Sequence, residues 1–193
     1  MKILIVTATK QEISLVGDRS IEILITGIGI PNTILNLTRH LNKIRYDLII
    51  NIGVCGSFHK GYMIGDVVEI IKDQFSEIGY EDNEGFQFFD NSFQLDTVFE
   101  VPPKTKLASV NGITVNTVHG NEESIKNVIL KINPDVESME GAACMMVSER
   151  FGIPFMQIRG ISNHVEQRNT DNWDLDLAII NVNMELDNII SKL

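Results

Sequence analysis

Along the chain, short runs of aliphatic and β-branched residues alternate with stretches whose apolar positions recur at helical spacing. Residues 2–6, 21–26, 47–52, 67–72 and 114–118 read as strands, the third ended by Gly53. Residues 135–138 form a further short strand and 155–161 the last one. Helices are expected at 32–43, 122–131, 141–151 and 174–192; the last carries Ala178, Ile179, Val182, Leu186, Ile189 and Ile190 on one face. Gly152 suits the left-handed stop of the third helix, and Pro154 prevents its resumption. Residues 74–106, with Pro102-Pro103, read as a hairpin plus loops. Strands alternating with helices predict an α/β three-layer sandwich around a central, mostly parallel mixed sheet, built from residues 1–193 as one domain. Ligands in such sheets sit beyond the carboxyl ends of the strands.

Composition narrows the partners. An apolar fraction of 44% over 193 residues is enough for a core. A net charge of −10 argues against nonspecific binding of nucleic acid or an anionic membrane. The apolar start of the chain ends at Thr7 and meets Lys10, Gln11 and Glu12, too soon for a signal peptide, and no run reaches the ~18 apolar residues of a membrane span. The expectation is a cytoplasmic protein. Cys55 and Cys144 form no CxxC pair and read as buried thiols, and His40, His59, His119 and His164 show no metal-ligand spacing. No metal or organic cofactor is expected.

Several segments can carry chemistry, each with a plainer alternative. Gly27-Ile28-Gly29 is half of a dinucleotide fingerprint, or simply a tight turn. Gly53-Val54-Cys55-Gly56-Ser57 lets backbone line a pocket, and Asp66 reads as a turn cap. Glu12 follows the first strand, where it is either a first-turn helix residue or a site carboxylate. Glu140 stands between a strand and an apolar helix, as an N-terminal cap or as a dry carboxylate with chemistry to do. Arg159-Gly160-Ile161-Ser162-Asn163 ends the last strand in polar groups, and Asn163 offers both a donor and an acceptor. Trp173, the only tryptophan, either fills the core or covers a ligand.

In order and spacing these pieces resemble one superfamily, the purine nucleoside phosphorylases and nucleoside hydrolases that include methylthioadenosine/S-adenosylhomocysteine nucleosidases. The match is carried by Glu12, Gly27-Ile28-Gly29 with Asn32, Asn51-Ile52-Gly53-Val54-Cys55-Gly56, Gly65-Asp66-Val67-Val68, Ser138-Met139-Glu140-Gly141-Ala142-Ala143 and Arg159-Gly160-Ile161-Ser162-Asn163. The resemblance implies an N-glycosyl hydrolase acting on a small purine nucleoside, in at least a homodimer. It implies that Glu140 binds the ribose hydroxyls, Met139 packs on the sugar, and Glu12 activates water. Val54, Cys55 and Gly56 would line the pocket, with Ser138 and Ser162 beside the substrate and Trp173 closing the site. Two departures stand out. Asn163 replaces the aspartate of the adenine-specific nucleosidases, which favours a 6-oxopurine base, and Ser138 replaces an acidic residue. The run from Ile161 to Asn169 followed by Trp173 looks most like the futalosine hydrolases of the menaquinone pathway. These release hypoxanthine from a carboxyphenyl nucleoside. Arg168 is then either a counter-charge to that carboxylate or a surface arginine.

Overall fold

The computed structural model describes residues 1–15, 20–89 and 95–193. One mixed sheet contains β1 (Ile3–Thr7), β2 (Ile21–Ile25), β3 (Leu48–Ser57), β4 (Val67–Phe75), β7 (Val98–Glu100), β8 (Ala108–Thr114), β9 (Val136–Ser138) and β10 (Phe155–His164). A separate hairpin is made of β5 (Gly79–Asp82) and β6 (Gly85–Phe88). The helices are α1 (Ile30–Leu41), α2 (Glu122–Lys131), α3 (Gly141–Phe151) and α4 (Leu175–Ile190).

The sandwich expectation needs one correction, because the sheet curls back on itself. β10 runs parallel to β3 and antiparallel to β4 at the same time. β4, β8 and β9 complete the circuit, and β9 returns to the end of β3 at Gly56 and Ser57. The result is a partly closed barrel with β1 and β2 extending from it. Helices still cover two faces. Leu37 and Leu41 of α1 and Ala142 to Val147 of α3 pack on one apolar cluster; Val182, Leu186 and Ile189 of α4 pack on the other. Strand β1 is buried along its whole length, as a parallel strand covered on both sides must be. Among the described residues, no helix is long and apolar enough to cross a membrane.

β4 and β10 each run three residues beyond expectation, to Phe75 and His164, and two further strands differ more in kind. β3 continues through Gly53 to Ser57, because the residue pairs Arg159–Gly53 and Gly160–Val54 carry the ladder past the glycine. β8 ends at Thr114, where the sequence reading had a strand begin. Its Asn111-Gly112 pair looks like a turn, yet both residues pair in register with Lys72 and Asp73 of β4, so tertiary pairing overrides the local signal. The hairpin expected in 74–106 is present as β5–β6, and β7 adds to the edge of β4. Part of that expectation, residues 90–94, lies outside the described residues. The expected left-handed stop is found at Gly152, with φ of 65°.

Asp73 of β4 is fully buried behind the start of α3. Its carboxyl oxygens accept from Thr114 Oγ1 (2.9 Å) and Gln157 Nε2 (3.1 Å). Burial nevertheless pushes its pKa up to about 6, against these hydrogen bonds and the Arg159 guanidinium, which pull it down. The fold thus binds this proton more tightly than the unfolded chain does. That contribution is complete below the ordinary aspartate range and is lost as pH rises through about 6. Asp73→Asn should therefore gain up to about 3 kcal/mol on the wild type between pH 4 and pH 7. Urea unfolding of both proteins across that range checks this; parallel pH curves refute it.

Candidate active site

The carboxyl ends of β1, β3 and β10, the chain beyond β8 and the start of α3 converge on one cavity of about 350 Å³. That is within the range of roughly 300–1,000 Å³ typical of small-molecule sites. Glu12, Val54, Cys55, Gly56, Ser138, Met139, Glu140, Ser162, Asn163 and Trp173 all line it. Of the residues expected at the site, Arg168 alone does not.

Glu140 occupies the N-cap position of α3, but its side chain does not cap that helix. Oε1 instead accepts the backbone N–H of Gly29 at 2.8 Å. Gly29 is the N-cap of α1 and has φ of 91°, a left-handed conformation that favours glycine. The Gly27-Ile28-Gly29 turn therefore holds a protein carboxylate with its amide and brings Ile28 into the cavity wall. Burial raises the Glu140 pKa, while Arg159 and the Gly29 N–H lower it; Glu12 raises it further by like charge. The two glutamates are thus close enough to feel each other.

Glu12 ends a short 3₁₀ turn, Lys10–Glu12, directly after β1. Its Oε2 accepts from Thr9 N–H (2.8 Å), Thr9 Oγ1 (3.1 Å) and Thr7 Oγ1 (3.2 Å). Oε1 lies toward Gly53, where a Cβ would come within 2.8 Å of it. The glycine leaves room for the carboxylate, and behind the same point lies Arg159 Nη1 at 3.4 Å.

Cys55 is buried, and desolvation raises its thiol pKa to about 12, so it is a wall and not a nucleophile. Asn163 Oδ1 accepts from Ser162 Oγ (2.8 Å), and Nδ2 donates to the carbonyl of His164 (3.0 Å). Trp173 follows the 3₁₀ turn Thr170–Asn172, and the guanidinium of Arg168 stacks on its ring 4.8 Å from the centroid. Arg168 is exposed, and no carboxylate of the described residues pairs with it.

Sequence reasoning gave no role to three residues of this region. His119 and Glu137 both line the cavity and are bonded to each other, and Arg159 is buried behind it. The pair escapes notice because its members are 18 positions apart on different elements. Arg159 had a visible signal, a lone cation in the otherwise apolar or neutral run of β10.

Residues 5–191 match the family described as the Phosphorylase superfamily, and the chain belongs to that family. The 5′-methylthioadenosine/S-adenosylhomocysteine nucleosidase of Desulfotalea psychrophila is 27% identical over 207 residues, covering 86% of each chain. That of Listeria monocytogenes serotype 4a is 28% identical over 192 residues, covering 89% of this chain and 80% of its own. Among solved structures, the Helicobacter pylori nucleosidase with butyl-thio-DADMe-Immucillin-A superposes with a TM-score of 0.86 at 16% identity. The native futalosine hydrolase of Helicobacter pylori gives 0.85 at 17%. Each covers 100% of this chain and 98% of the other, and at these identities the likeness is one of fold.

Gly141, the first residue of α3, sets how closely the Glu140 turn approaches β4. A Cβ there would lie 2.1 Å from Asp73 Oδ2 and 2.2 Å from Gln157 Nε2. Both partners are buried, so neither can move aside cheaply. Gly141→Ala is expected to destabilise the protein by about 2–3 kcal/mol, read from denaturant midpoints. A wild-type midpoint would show that the turn is not constrained in this way.

Proposed function

We propose that the protein hydrolyses the N-glycosidic bond of a purine nucleoside and that its substrate is futalosine, cleaved to hypoxanthine and dehypoxanthine futalosine. The observation that carries this reading is the pair Glu12 and Glu140 on one cavity, each oriented by a backbone N–H. The names of the relatives, nucleosidases all, support the same reaction class.

Breaking the bond develops positive charge on the ribose and negative charge on the purine. Catalysis then needs a ribose clamp, a stabilised leaving group and a positioned nucleophile. Glu140 is the clamp: a carboxylate accepting from the 2′- and 3′-hydroxyls favours the cationic sugar. Glu12 is the base that takes a proton from the attacking water, an effect typically worth about 10²–10⁴-fold. An anionic base also disfavours phosphorolysis, since it would repel phosphate. Met139 packs against the sugar and Trp173 against the nucleoside. The reaction as drawn uses side chains and water alone.

The base is assigned from Asn163. Its Oδ1 accepts from Ser162 and one Nδ2 hydrogen goes to the His164 carbonyl, which leaves the second N–H to donate to O6 or N7 of a 6-oxopurine; it cannot act as a protonated acid toward N7. The futalosine assignment adds Arg168, a cation with no ion-pair partner among the described residues and stacked on a cavity-wall aromatic, as the counter-charge for a carboxylate beyond the ribose. A second reading, an adenine nucleosidase acting on methylthioadenosine or S-adenosylhomocysteine, is favoured by the relatives' names; Asn163 and Ser138 weigh against it. Self-association is part of the proposal, since α4 exposes Ile180 and Met184 on a helix whose first residue, Leu175, lines the cavity.

Futalosine, inosine and methylthioadenosine assayed side by side, with and without phosphate, should show phosphate-independent release of hypoxanthine from futalosine fastest. Preferred release of adenine would select the second reading, and phosphate dependence would reject hydrolysis. Glu12→Gln is expected to lower turnover at least ~100-fold while hypoxanthine still binds; normal turnover removes Glu12 as the base. Asn163→Asp should shift the ratio of rates at least ~10-fold toward the adenine nucleoside, a difference of about 1.4 kcal/mol. An unchanged ratio means that another residue reads the base.

A further inference from the structure

His119 follows β8, and its ring lines the cavity with only 14% of the side chain exposed. Glu137 of β9 is buried behind it and grips it twice. Oε1 accepts the backbone N–H of His119 at 3.0 Å, and Oε2 meets Nδ1 at 2.6 Å. A carboxylate only accepts, so the ring carries a hydrogen on Nδ1 toward Glu137, and a second proton, taken up on Nε2, makes it the imidazolium. Nε2 is left as the other polar atom of the ring, and no group of the described residues hydrogen-bonds it. Phe58 packs edge-on against the imidazole, with centroids 6.0 Å apart, and holds its plane.

The pair sits on the Asn163 side of the cavity. A Cβ on Gly56 would lie 3.1 Å from Asn163 Nδ2 and 3.6 Å from Glu137 Cγ, so the two side chains flank the same small residue. If the nucleosidase reading holds, that side receives the purine. An expelled purine anion needs a proton, and the amide of Asn163 has none to give. Glu12 takes a proton from water in the same step, which makes it the wrong partner.

We infer that His119, oriented by Glu137, is the catalytic acid that protonates the departing purine. The C1′–N9 bond breaks with its electron pair going to the base. Nε2–H of the imidazolium passes its proton to a ring nitrogen of that base. Water forms the new C1′–O bond and loses its proton to Glu12. Exchange with solvent then returns one proton to His119 and removes one from Glu12, so the cycle closes without another reactant. Glu137 of β9 contacts the imidazole directly, and Glu77, Glu81, Glu84 and Lys131 share with His119 the lining of the adjoining cavity.

The test compares leaving groups on the full-length protein. His119→Gln is expected to lower kcat at least ~100-fold on futalosine or inosine. On p-nitrophenyl β-D-ribofuranoside, whose nitrophenolate leaves without a proton, it should stay within about threefold of wild type. Should the wild type refuse the aryl riboside, 7-methylinosine replaces it, because its cationic base departs neutral. Glu137→Gln should show the same selective loss, partly restored in Glu137→Asp, and it carries the test if His119→Gln fails to fold. An unchanged rate on the purine, or an equal loss on both substrates, overturns the role. Wild-type protein that cleaves none of these substrates would instead refute the nucleosidase reading itself.

Discussion

Arg159 stands in the middle of β10 with 1% of its surface exposed. Its backbone pairs with Gly53 of β3 on one side and Val68 of β4 on the other, so it lies where the sheet curls closed. Taking a guanidinium out of water costs several kcal/mol unless charge and hydrogen bonds compensate. The direct bonds are few: Nη2 donates to Asn51 Oδ1 at 2.6 Å, Nη1 to the carbonyl of Ile158 at 3.4 Å, and Nε has no partner among the described residues. No carboxylate of the described residues forms a salt bridge with it. Compensation therefore comes from carboxylates slightly further away: Glu12 and Arg159 reach the same point beside Gly53, and the cation lowers the pKa of both Asp73 and Glu140. One buried cation thus keeps a group of acids tolerable in a dry region. Acids without it would repel each other, as Glu12 and Glu140 already do.

That constraint explains the glycines around the site better than flexibility does. Gly53 leaves space for Glu12 and Arg159 together, Gly141 for Asp73 and Gln157, and Gly56 for Asn163 beside Glu137. A Cβ would meet Glu12 Oε1 at 2.8 Å on Gly53, Asp73 Oδ2 at 2.1 Å on Gly141, and Val165 Cγ2 at 2.9 Å and Asn163 Nδ2 at 3.1 Å on Gly56. The parallel pairing of β3 with β10 brings Arg159 beside Gly53 and Asn163 beside Gly56 at one end of the sheet.

The sequence reading was good where local signals agree with tertiary need. α2 and α3 have the expected bounds, because Asn121 caps the first through two backbone N–H groups and Gly152 stops the second. The candidate residues Glu12, Glu140 and Asn163 were legible as polar groups placed at strand ends. What could not be read was pairing between distant segments. The continuation of β3 beyond Gly53 depends on β10, more than 100 residues later, and the placement of β8 depends on β4. The His119–Glu137 pair was hidden for the same reason, since neither residue has a neighbour in sequence that marks it. Arg168, open in sequence between a counter-charge and a surface arginine, is exposed and stacks on the wall residue Trp173 without lining the cavity itself.

The proposed reaction would divide the cavity's tasks between two sides that differ in what they must hold constant. Toward the ribose, the sugar and the developing cation are the same for any purine nucleoside, so the proposed carboxylate clamp and carboxylate base would serve any purine. On the base side the edge of the ring and the route of the proton change with the substrate. In the proposed reaction, an asparagine at position 163 where the resemblance expects an acid would alter both at once: an amide N–H can donate to a carbonyl, but it cannot protonate the leaving group. A substitution of that kind is tolerable only if protonation is supplied elsewhere or not needed. The partly buried imidazole held by Glu137 lies on the side where that need would arise. Under the proposed function, base preference and leaving-group chemistry would thus be coupled, and Asn163 would act together with His119 rather than alone.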